Sequence, residues 1–581
     1  MCYAQMSESN QMTATDDLLT VDQAAQRLGL SPATIRRQCA AGDLPSRKIG
    51  RSWFVDATAL PPRRGRATRS STSASALVDL AAALTHLVKQ DLRKDAWVAD
   101  VLFFQDELAS KDDLFALAND KLDLLVDFDL AINVLVPKSP LFVRQGTDLS
   151  LSDRLAYQAV VHEIESHTDP RLSDCAFATR TADRARRFRV GGAQPWLAWR
   201  RATREALDNC GGWLIKTDVT AYFDFIEHRK LFQLLQEAQV PEFLLKPLRT
   251  MLRTWSPAKE RGLPQGPDAS RVLANYYLVE VDETLLGLHE VEYFRYMDDI
   301  CIVSSSRAKA THALQHLGEL CYQIGLPLST QKTEALPYES ALKELDDEQF
   351  EEPGAGPYDT PVEGMDDTSV SRTYLAALLV DSLKRSGQID SRRARFSLYR
   401  LFRSRDRVVL ELVLDNIDSF GPIGRLTPYY LSHWIAEPKV AKRVAAYLSD
   451  TERNNSEYFA SLILTAALEE PLRVHAGLLT YARRTLRDRN CVSYLRAVAA
   501  NVLVLSGRQN DSDAVEHVLL TEYDPVLIRG CLVALYRVGR LHKAIREKIK
   551  RRKGYDAVLS YLEGRNNLPS MLFRDRMHDL V

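Results

Sequence analysis

The chain has 581 residues, 45% of them hydrophobic and 26% charged, with a formal net charge of -1. This composition argues against global disorder, and a length prior of about 100 to 200 residues per domain predicts roughly three to five units. With so little net charge, any binding to nucleic acid has to rely on local basic surfaces rather than on a uniformly positive body.

Eight cysteines, at 2, 39, 175, 210, 301, 321, 491 and 531, are scattered without a zinc-knuckle pair or a dense disulfide framework, so reduced thiols are expected. No apolar stretch approaches the about 18 residues of a membrane span, and no apolar signal core follows the amino terminus. The expectation is a cytoplasmic protein without integral membrane association.

Residues 1 to 17 read as a flexible polar leader, and residues 18 to 60 as a compact block. Thr20 is placed to cap a short helix through Val21, Ala24, Ala25 and Leu28, Gly29 permits a turn, and Ser31-Pro32 opens a second helix carrying Ile35. After the Gly42-Asp43 turn, the stretch from Lys48 to Val55 reads as a small hairpin or wing. This block resembles the helix-turn-helix module of excisionases and MerR-type regulators. The resemblance implies nucleic-acid contacts from Arg36, Arg37, Lys48 and Arg51, with Trp53 and Phe54 packing the small core. A protein-docking role for the same module stays open.

Residues 61 to 76 form a Ser/Thr/Arg-rich basic linker that either approaches a phosphate backbone or merely connects. Helical apolar spacing returns from residue 77, followed by the Val-rich stretch 132 to 136 and a charged, helical-looking segment near 151 to 166. Arg184, Arg186, Arg187 and Arg189 cluster around Phe188. Arg186 and Arg187 are candidates for phosphate contact, with a solvated helix face as the alternative.

The chemistry-bearing pattern comes next. Leu214-Ile215-Lys216-Thr217-Asp218 has the apolar approach of a strand delivering a carboxylate to a site edge. Further on, apolar or aromatic arms flank an acidic pair in Tyr293-Phe294-Arg295-Tyr296-Met297-Asp298-Asp299-Ile300-Cys301-Ile302-Val303, as in a tight hairpin with carboxylates at its tip. Adjacent Asp residues repel unless they are exposed or neutralised by a cation, and magnesium takes hard oxygen ligands.

These segments resemble the reverse-transcriptase family, whose Tyr-Met-Asp-Asp hallmark stands at 296 to 299. Arg261-Gly262-Leu263-Pro264-Gln265-Gly266-Pro267 resembles the family's template and nucleotide contact motif, and Gly325-Leu326-Pro327-Leu328 with Lys332-Thr333 continues the series. Val136-Pro137-Lys138, Arg144 and the run from Ser152 to Gln158 resemble the fingers of bacterial members.

The resemblance implies catalytic Asp218, Asp298, Asp299 and Lys332, the last near the triphosphate as a proton donor to pyrophosphate. It implies metal binding at Asp218, Val219, Asp298 and Asp299, by two magnesium ions with manganese as a substitute. Nucleotide contacts are implied at Lys138, Arg144, Val219, Phe223, Gln265 and Gly266. Phe223, five positions after Asp218, is implied to sit beneath the incoming sugar and favour deoxynucleotides, with a place in the hydrophobic core as its alternative.

The expected fold is multidomain α+β: polymerase fingers and palm over residues 77 to 345, an acidic linker or insertion at 346 to 368, and a largely α-helical thumb or repeat-like region from 369 to 581. In that last region Leu410, Leu414 and Ile417, then Leu462, Leu464, Ala467 and Leu468, then Val518 and Leu519 follow helical spacing suited to stacked hairpins. This organisation resembles the abortive-infection and other defence-associated bacterial reverse transcriptases. It implies antiphage DNA synthesis from dNTPs on an RNA or DNA template, with protein-primed and untemplated reactions open. Noncoding RNA, a homo-oligomer or a defence partner at the helical region are the implied associates. A DNA-binding regulator or scaffold with an inactive polymerase-like domain, and a retron or group II-like enzyme, are the competing readings.

Overall fold

The structure, a computed structural model, describes residues 18–21, 24, 39, 46–49, 52–56, 74–92, 101–102, 104–125, 128–139, 142–183, 188–189, 194–256, 258, 260–289, 291–345, 371–383, 389–453, 456–468, 474–552 and 554–564. The chain divides into two compact units, Met1–Leu77 and Val78–Val581. That is fewer than the length prior suggests, because the helical carboxyl-terminal half shares a core with the segments around residues 101 and 134.

In the first unit β1 (Leu18–Thr20), β2 (Ser46–Ile49) and β3 (Ser52–Asp56) form an antiparallel sheet in the order β1-β3-β2. The expected wing is the β2-β3 pair, with Lys48 opposite Trp53. Thr20 is a strand residue paired with Phe54, and the helical conformation begins at Val21. Val21, Ala24, Cys39 and Val55 are buried. Arg36, Arg37, Arg51, most of the linker at 61 to 76 and the acidic stretch at 346 to 368 lie outside the described residues.

The second unit opens with α1 (Leu80–His86), capped by the Asp79 carboxylate, which accepts the Ala82 N–H at 2.9 Å. Helices α2 (Gln105–Ala109) and α3 (Lys111–Leu124) lead to the hairpin of β4 (Ile132–Pro137) and β5 (Val143–Asp148). Next comes α4 (Leu151–Thr168), buried along nearly its whole length among α1, α3 and later helices. Its charges are therefore paired inside the protein: the Lys121 ammonium lies 2.6 Å from Asp153 and 2.8 Å from Asp129.

After the short pair β6 (Thr181–Asp183) and β7 (Phe188–Arg189) and helix α5 (Gln194–Cys210), β8 (Trp213–Asp218) enters the main sheet. Helices α6 (Tyr222–Phe225), α7 (His228–Glu237), α8 (Glu242–Trp255), α9 (Asp268–Tyr277) and α10 (Val279–Leu286) separate it from the hairpin β9 (Glu292–Tyr296) and β10 (Asp299–Ser304). Helix α11 (Arg307–Gln323), β11 (Glu334–Pro337) and α12 (Tyr338–Leu345) complete this part. The sheet is antiparallel throughout, in the order β11-β8-β10-β9. Cys301 and Val303 join Leu214 and Trp199 in one apolar cluster with α12, while the alternate residues Ile300 and Ile302 are buried towards the opposite face, as the two-residue period requires.

The helices from Arg372–Leu383 to Asp556–Glu563 stack on their neighbours over one core that includes Leu410, Leu414, Ile417, Leu462, Leu464, Ala467, Val518 and Leu519. Leu468 packs against it half-buried. Gly530 lets two of these helices touch, since a Cβ there would lie 2.5 Å from the Ala497 Cβ. None of the seven described cysteines is in a disulfide. Among the described residues no helix is long and apolar enough to cross a membrane.

A fully buried ion pair ties the sheet to its helices. The Arg295 guanidinium, on β9, donates to both Asp282 oxygens at 2.6 Å and to the Asn275 backbone carbonyl at 2.9 Å. Removing one partner of such a pair leaves an uncompensated buried charge. Asp282→Ala should therefore lower unfolding free energy by about 3 to 5 kcal/mol in urea titrations; a loss under about 1 kcal/mol would show that Arg295 finds water or another partner.

Candidate active site

The strand register builds the site. Asp218 is the last residue of β8 and Asp299 the first of β10, and the antiparallel ladder sets them directly opposite each other. Asp299 also pairs with Tyr296, so Met297 and Asp298 form a two-residue turn, with Met297 at φ +57°. A non-glycine residue in that region is uncommon and costs backbone energy. The turn is held from below: the Tyr296 ring meets Trp196 edge to face at 5.1 Å, and the Thr179 hydroxyl donates to the Met297 sulfur at 3.5 Å. The arms read in the sequence thus form the hairpin, with Asp298 in its turn and Asp299 one position into the strand.

A strap from Gly325 to Thr333 runs alongside β8. The Asp218 carbonyl accepts the Ser329 N–H at 2.7 Å, the Thr220 N–H donates to Pro327 at 2.8 Å, and buried Val219 bridges to Leu328. Lys332 is thereby brought to the carboxylates, its ammonium 2.8 Å from Asp218 Oδ2.

Burial, then the charges of Asp299 and Asp218, push the Asp298 carboxyl up to about 7. Burial works against the Lys332 ammonium, yet its hydrogen bond to Asp218 and the surrounding carboxylates raise it above its ordinary value. Among the described residues no group of three or more His, Cys, Asp or Glu side chains closes a metal cage. The donors are nonetheless hard carboxylate oxygens in mutual repulsion, which suits a magnesium ion that takes its remaining ligands from water and substrate phosphates.

Phe223 follows Ala221, at φ +48°, on the single-turn helix α6. Its neighbour Tyr222 is buried and donates to the Ala274 carbonyl, whereas Phe223 is half-buried. The Phe223 carbonyl accepts the Leu263 N–H at 2.9 Å, linking α6 to the loop before α9. In that loop Gly266 has φ +143°, a conformation L side chains rarely adopt, and the half-buried Gln265 accepts the Thr147 N–H on its backbone carbonyl at 2.8 Å. Thr147 belongs to β5, so this bond joins the loop to the hairpin carrying Arg144, opposite Val136, and Lys138 just past β4; both basic residues are exposed. Lys48 lies on β2 of the other unit, while Arg186 and Arg187 are outside the described residues.

The sequence gives no sign of the buried network behind this loop. Arg154 of α4 pairs with Asp91 and, at 3.5 Å, with Asp148 of β5. Asp91 also accepts the Asp268 N–H at 2.6 Å, capping the start of α9 from far upstream, and the Asp268 carboxylate meets His86 at 3.0 Å.

An antiparallel sheet with acidic residues at the turn of one hairpin and at the end of the adjoining strand has the layout of a nucleotide-polymerase palm. The comparisons narrow the class. The family described as "Reverse transcriptase (RNA-dependent DNA polymerase)" matches residues 149–354, and a helix-turn-helix domain family matches residues 18–60. A Schizosaccharomyces pombe protein, "Uncharacterized 91 kDa protein in cob intron", is 30% identical over 131 residues, covering 21% of this chain and 16% of that protein's length. The telomerase of Candida albicans, solved in complex with a TWJ fragment of telomeric RNA, superposes with TM-score 0.28 and 11% identity over 56% of this chain and 65% of that one. Apo telomerase from Candida tropicalis gives TM-score 0.29 and 11% identity over 75% and 68%. The chain thus carries a reverse-transcriptase-like polymerase domain and a helix-turn-helix domain.

Asp91→Ala should cost about 3 to 5 kcal/mol of stability, because Arg154 loses its shortest partner. Asp91→Asn, which keeps an oxygen for the Asp268 N–H, should cost less. Equal urea midpoints for the two variants would contradict the charge as the main contribution.

Proposed function

We propose that the chain is a magnesium-dependent DNA polymerase of the reverse-transcriptase kind, acting in bacterial antiphage defence. The observation that carries the catalytic part is the pairing of Asp299 with Asp218 across the β8-β10 ladder, with Asp298 in the adjoining turn. In this reading Asp218, Asp298, Asp299 and the backbone at Val219 hold two divalent ions, with manganese an acceptable substitute. Bound there, the ions supply the positive charge that lowers the primer hydroxyl's pKa and stabilises the leaving pyrophosphate.

The chain's own residues do the rest. Lys332 stays protonated beside Asp218, as a proton donor to pyrophosphate must. Lys138 and Arg144 reach the triphosphate from the exposed hairpin through charge-assisted bonds, and Gln265 and Gly266 let the backbone approach the nucleotide and template closely. Phe223 presents its exposed edge beneath the sugar, where a ribose 2′-hydroxyl would not fit. The helix-turn-helix domain supports contact with DNA through Arg36, Arg37, Lys48 and Arg51. The defence role is supported by the stacked carboxyl-terminal helices, which suit a partner-binding or nucleic-acid-guiding scaffold.

Purified protein supplied with template-primer, all four dNTPs and magnesium should extend the primer. Asp298→Asn/Asp299→Asn should abolish extension, a loss of at least about a thousandfold, with no loss of stability in a circular dichroism melt. Extension retained by that folded variant would remove these residues from the chemistry. Phe223→Ala should raise ribonucleotide incorporation relative to deoxynucleotide at least about tenfold, about 1.4 kcal/mol of discrimination. An unchanged ratio in an active variant would return Phe223 to a packing role.

A further inference from the structure

A second site lies on α7 and α8, built from residues the polymerase reading does not use. These helices line a cavity of about 370 Å³ with Arg229, Gln233 and Gln236 on one side and Arg249 and Arg253 on the other. The spacing explains the convergence: residues three and four apart share a helix face, so each helix turns a row of donors to the same space. The Arg249 guanidinium rests over the Phe232 ring, 4.5 Å from its centroid, which holds its fork in one orientation. Glu260, also at the cavity, pairs with Arg253 at 3.3 Å, but both side chains are more than half exposed, so the pair is weak and leaves Arg253 free to exchange partners. Among the described residues of the lining, three guanidiniums thus face a single carboxylate.

Planar, permanently charged forks in excess over carboxylates select phosphate oxygens. The lining also discriminates between sources of phosphate. Among the described residues its two rings are both withdrawn: Phe232 is buried and covered by Arg249, and the His228 imidazole is buried against the Gly262 carbonyl, so neither is open to stack a free nucleotide's base. Arg249 and Arg253, four residues and about 6 Å of helix rise apart, suit successive phosphates along a strand. The cavity is not isolated from the palm: His228, in its lining, binds the Gly262 carbonyl at 2.7 Å through Nε2, and Gly262 begins the loop that carries Gln265 and Gly266.

We propose that this cavity binds the phosphodiester backbone of a single-stranded nucleic acid, outside the carboxylate site. The proposal does not depend on synthesis, so it is tested without it. Anisotropy of a fluorescein-labelled polythymidine strand is measured with the full-length protein in EDTA across a salt series. Arg249→Gln/Arg253→Gln should weaken binding about tenfold at low salt and reduce the slope of log affinity against log salt by about 1.4, twice the single-strand contribution of about 0.7 per phosphate. Arg229→Gln, whose side chain supports no ring, should reduce the slope by about 0.7, which keeps the test meaningful if the double variant folds poorly. Arg249→Lys/Arg253→Lys should retain most of the slope. Unchanged affinity and slope in the folded glutamine variants would overturn the proposal. So would a loss of dATP binding in place of strand binding, which would mark a nucleotide pocket instead.

Discussion

The pairing of β8 with β10 is the constraint on which the candidate site depends. Its register runs from Asp299 opposite Asp218 to Ser304 opposite Trp213, and a slip by one residue would send the apolar side chains of β10 to the wrong faces. Both faces are buried, by α5 and α12 on one side and α11 on the other, so a slip has nowhere to place Cys301 and Val303. Gly212, just before β8, adds a steric stop, since a Cβ there would collide with the Ser304 carbonyl. Core packing thus fixes which acidic residues meet at the sheet edge.

The same arrangement creates its own electrostatic problem. Three carboxylates share a partly buried edge, and the fully buried Arg295 of the adjoining strand is already committed to Asp282 and Asn275. Lys332 supplies one positive charge from the strap, and Asp298 remains raised to about 7 despite it. A site with that residual repulsion is one that a divalent cation stabilises more than a neutral ligand does. Two layers of different charge result: a closed, neutral ion pair inside the sheet and an open, net negative group at its rim.

The rim was legible in the sequence because it is local. Apolar arms around Met297-Asp298 announce a hairpin, and the run from Leu214 to Asp218 announces a strand ending in a carboxylate. The stripes through Leu410, Leu462 and Val518 likewise declare helices before any packing is known. Lys332 was legible only through its motif, since nothing local says that a lysine so far along the chain returns to Asp218. Asp91 was not legible, because a single acid that caps a helix and pairs with Arg154 across long sequence separations leaves no periodic trace. The cavity on α7 and α8 was hidden for a related reason. Arg229 and Arg249 each look like ordinary solvated positions on amphipathic helices until the two helices are placed side by side.

The joining of the carboxyl-terminal helices to the β4-β5 hairpin has the widest consequence for how the second unit works. A two-stranded hairpin is marginally stable in water. Here Val134 and Val136 enter the same core as Phe420 and Phe459, while the intervening Leu135 stays exposed. Gly421 permits that approach, since a Cβ there would lie 2.8 Å from the Pro137 side chain, and the Ser456 hydroxyl donates to the Leu135 carbonyl at 3.2 Å. The Asp106–Arg529 ion pair and the 2.6 Å bond from Tyr561 to Gln105 make further links between α2 and the last helices. A thumb that merely followed the palm would leave the hairpin to fold and move by itself. In this chain the hairpin's inner face is part of the helical core, and its outer residues Lys138 and Arg144 stand on a surface that core makes rigid. Displacing the helices would therefore move these two basic side chains, and through Thr147 the backbone of Gln265, without any direct contact with the carboxylates.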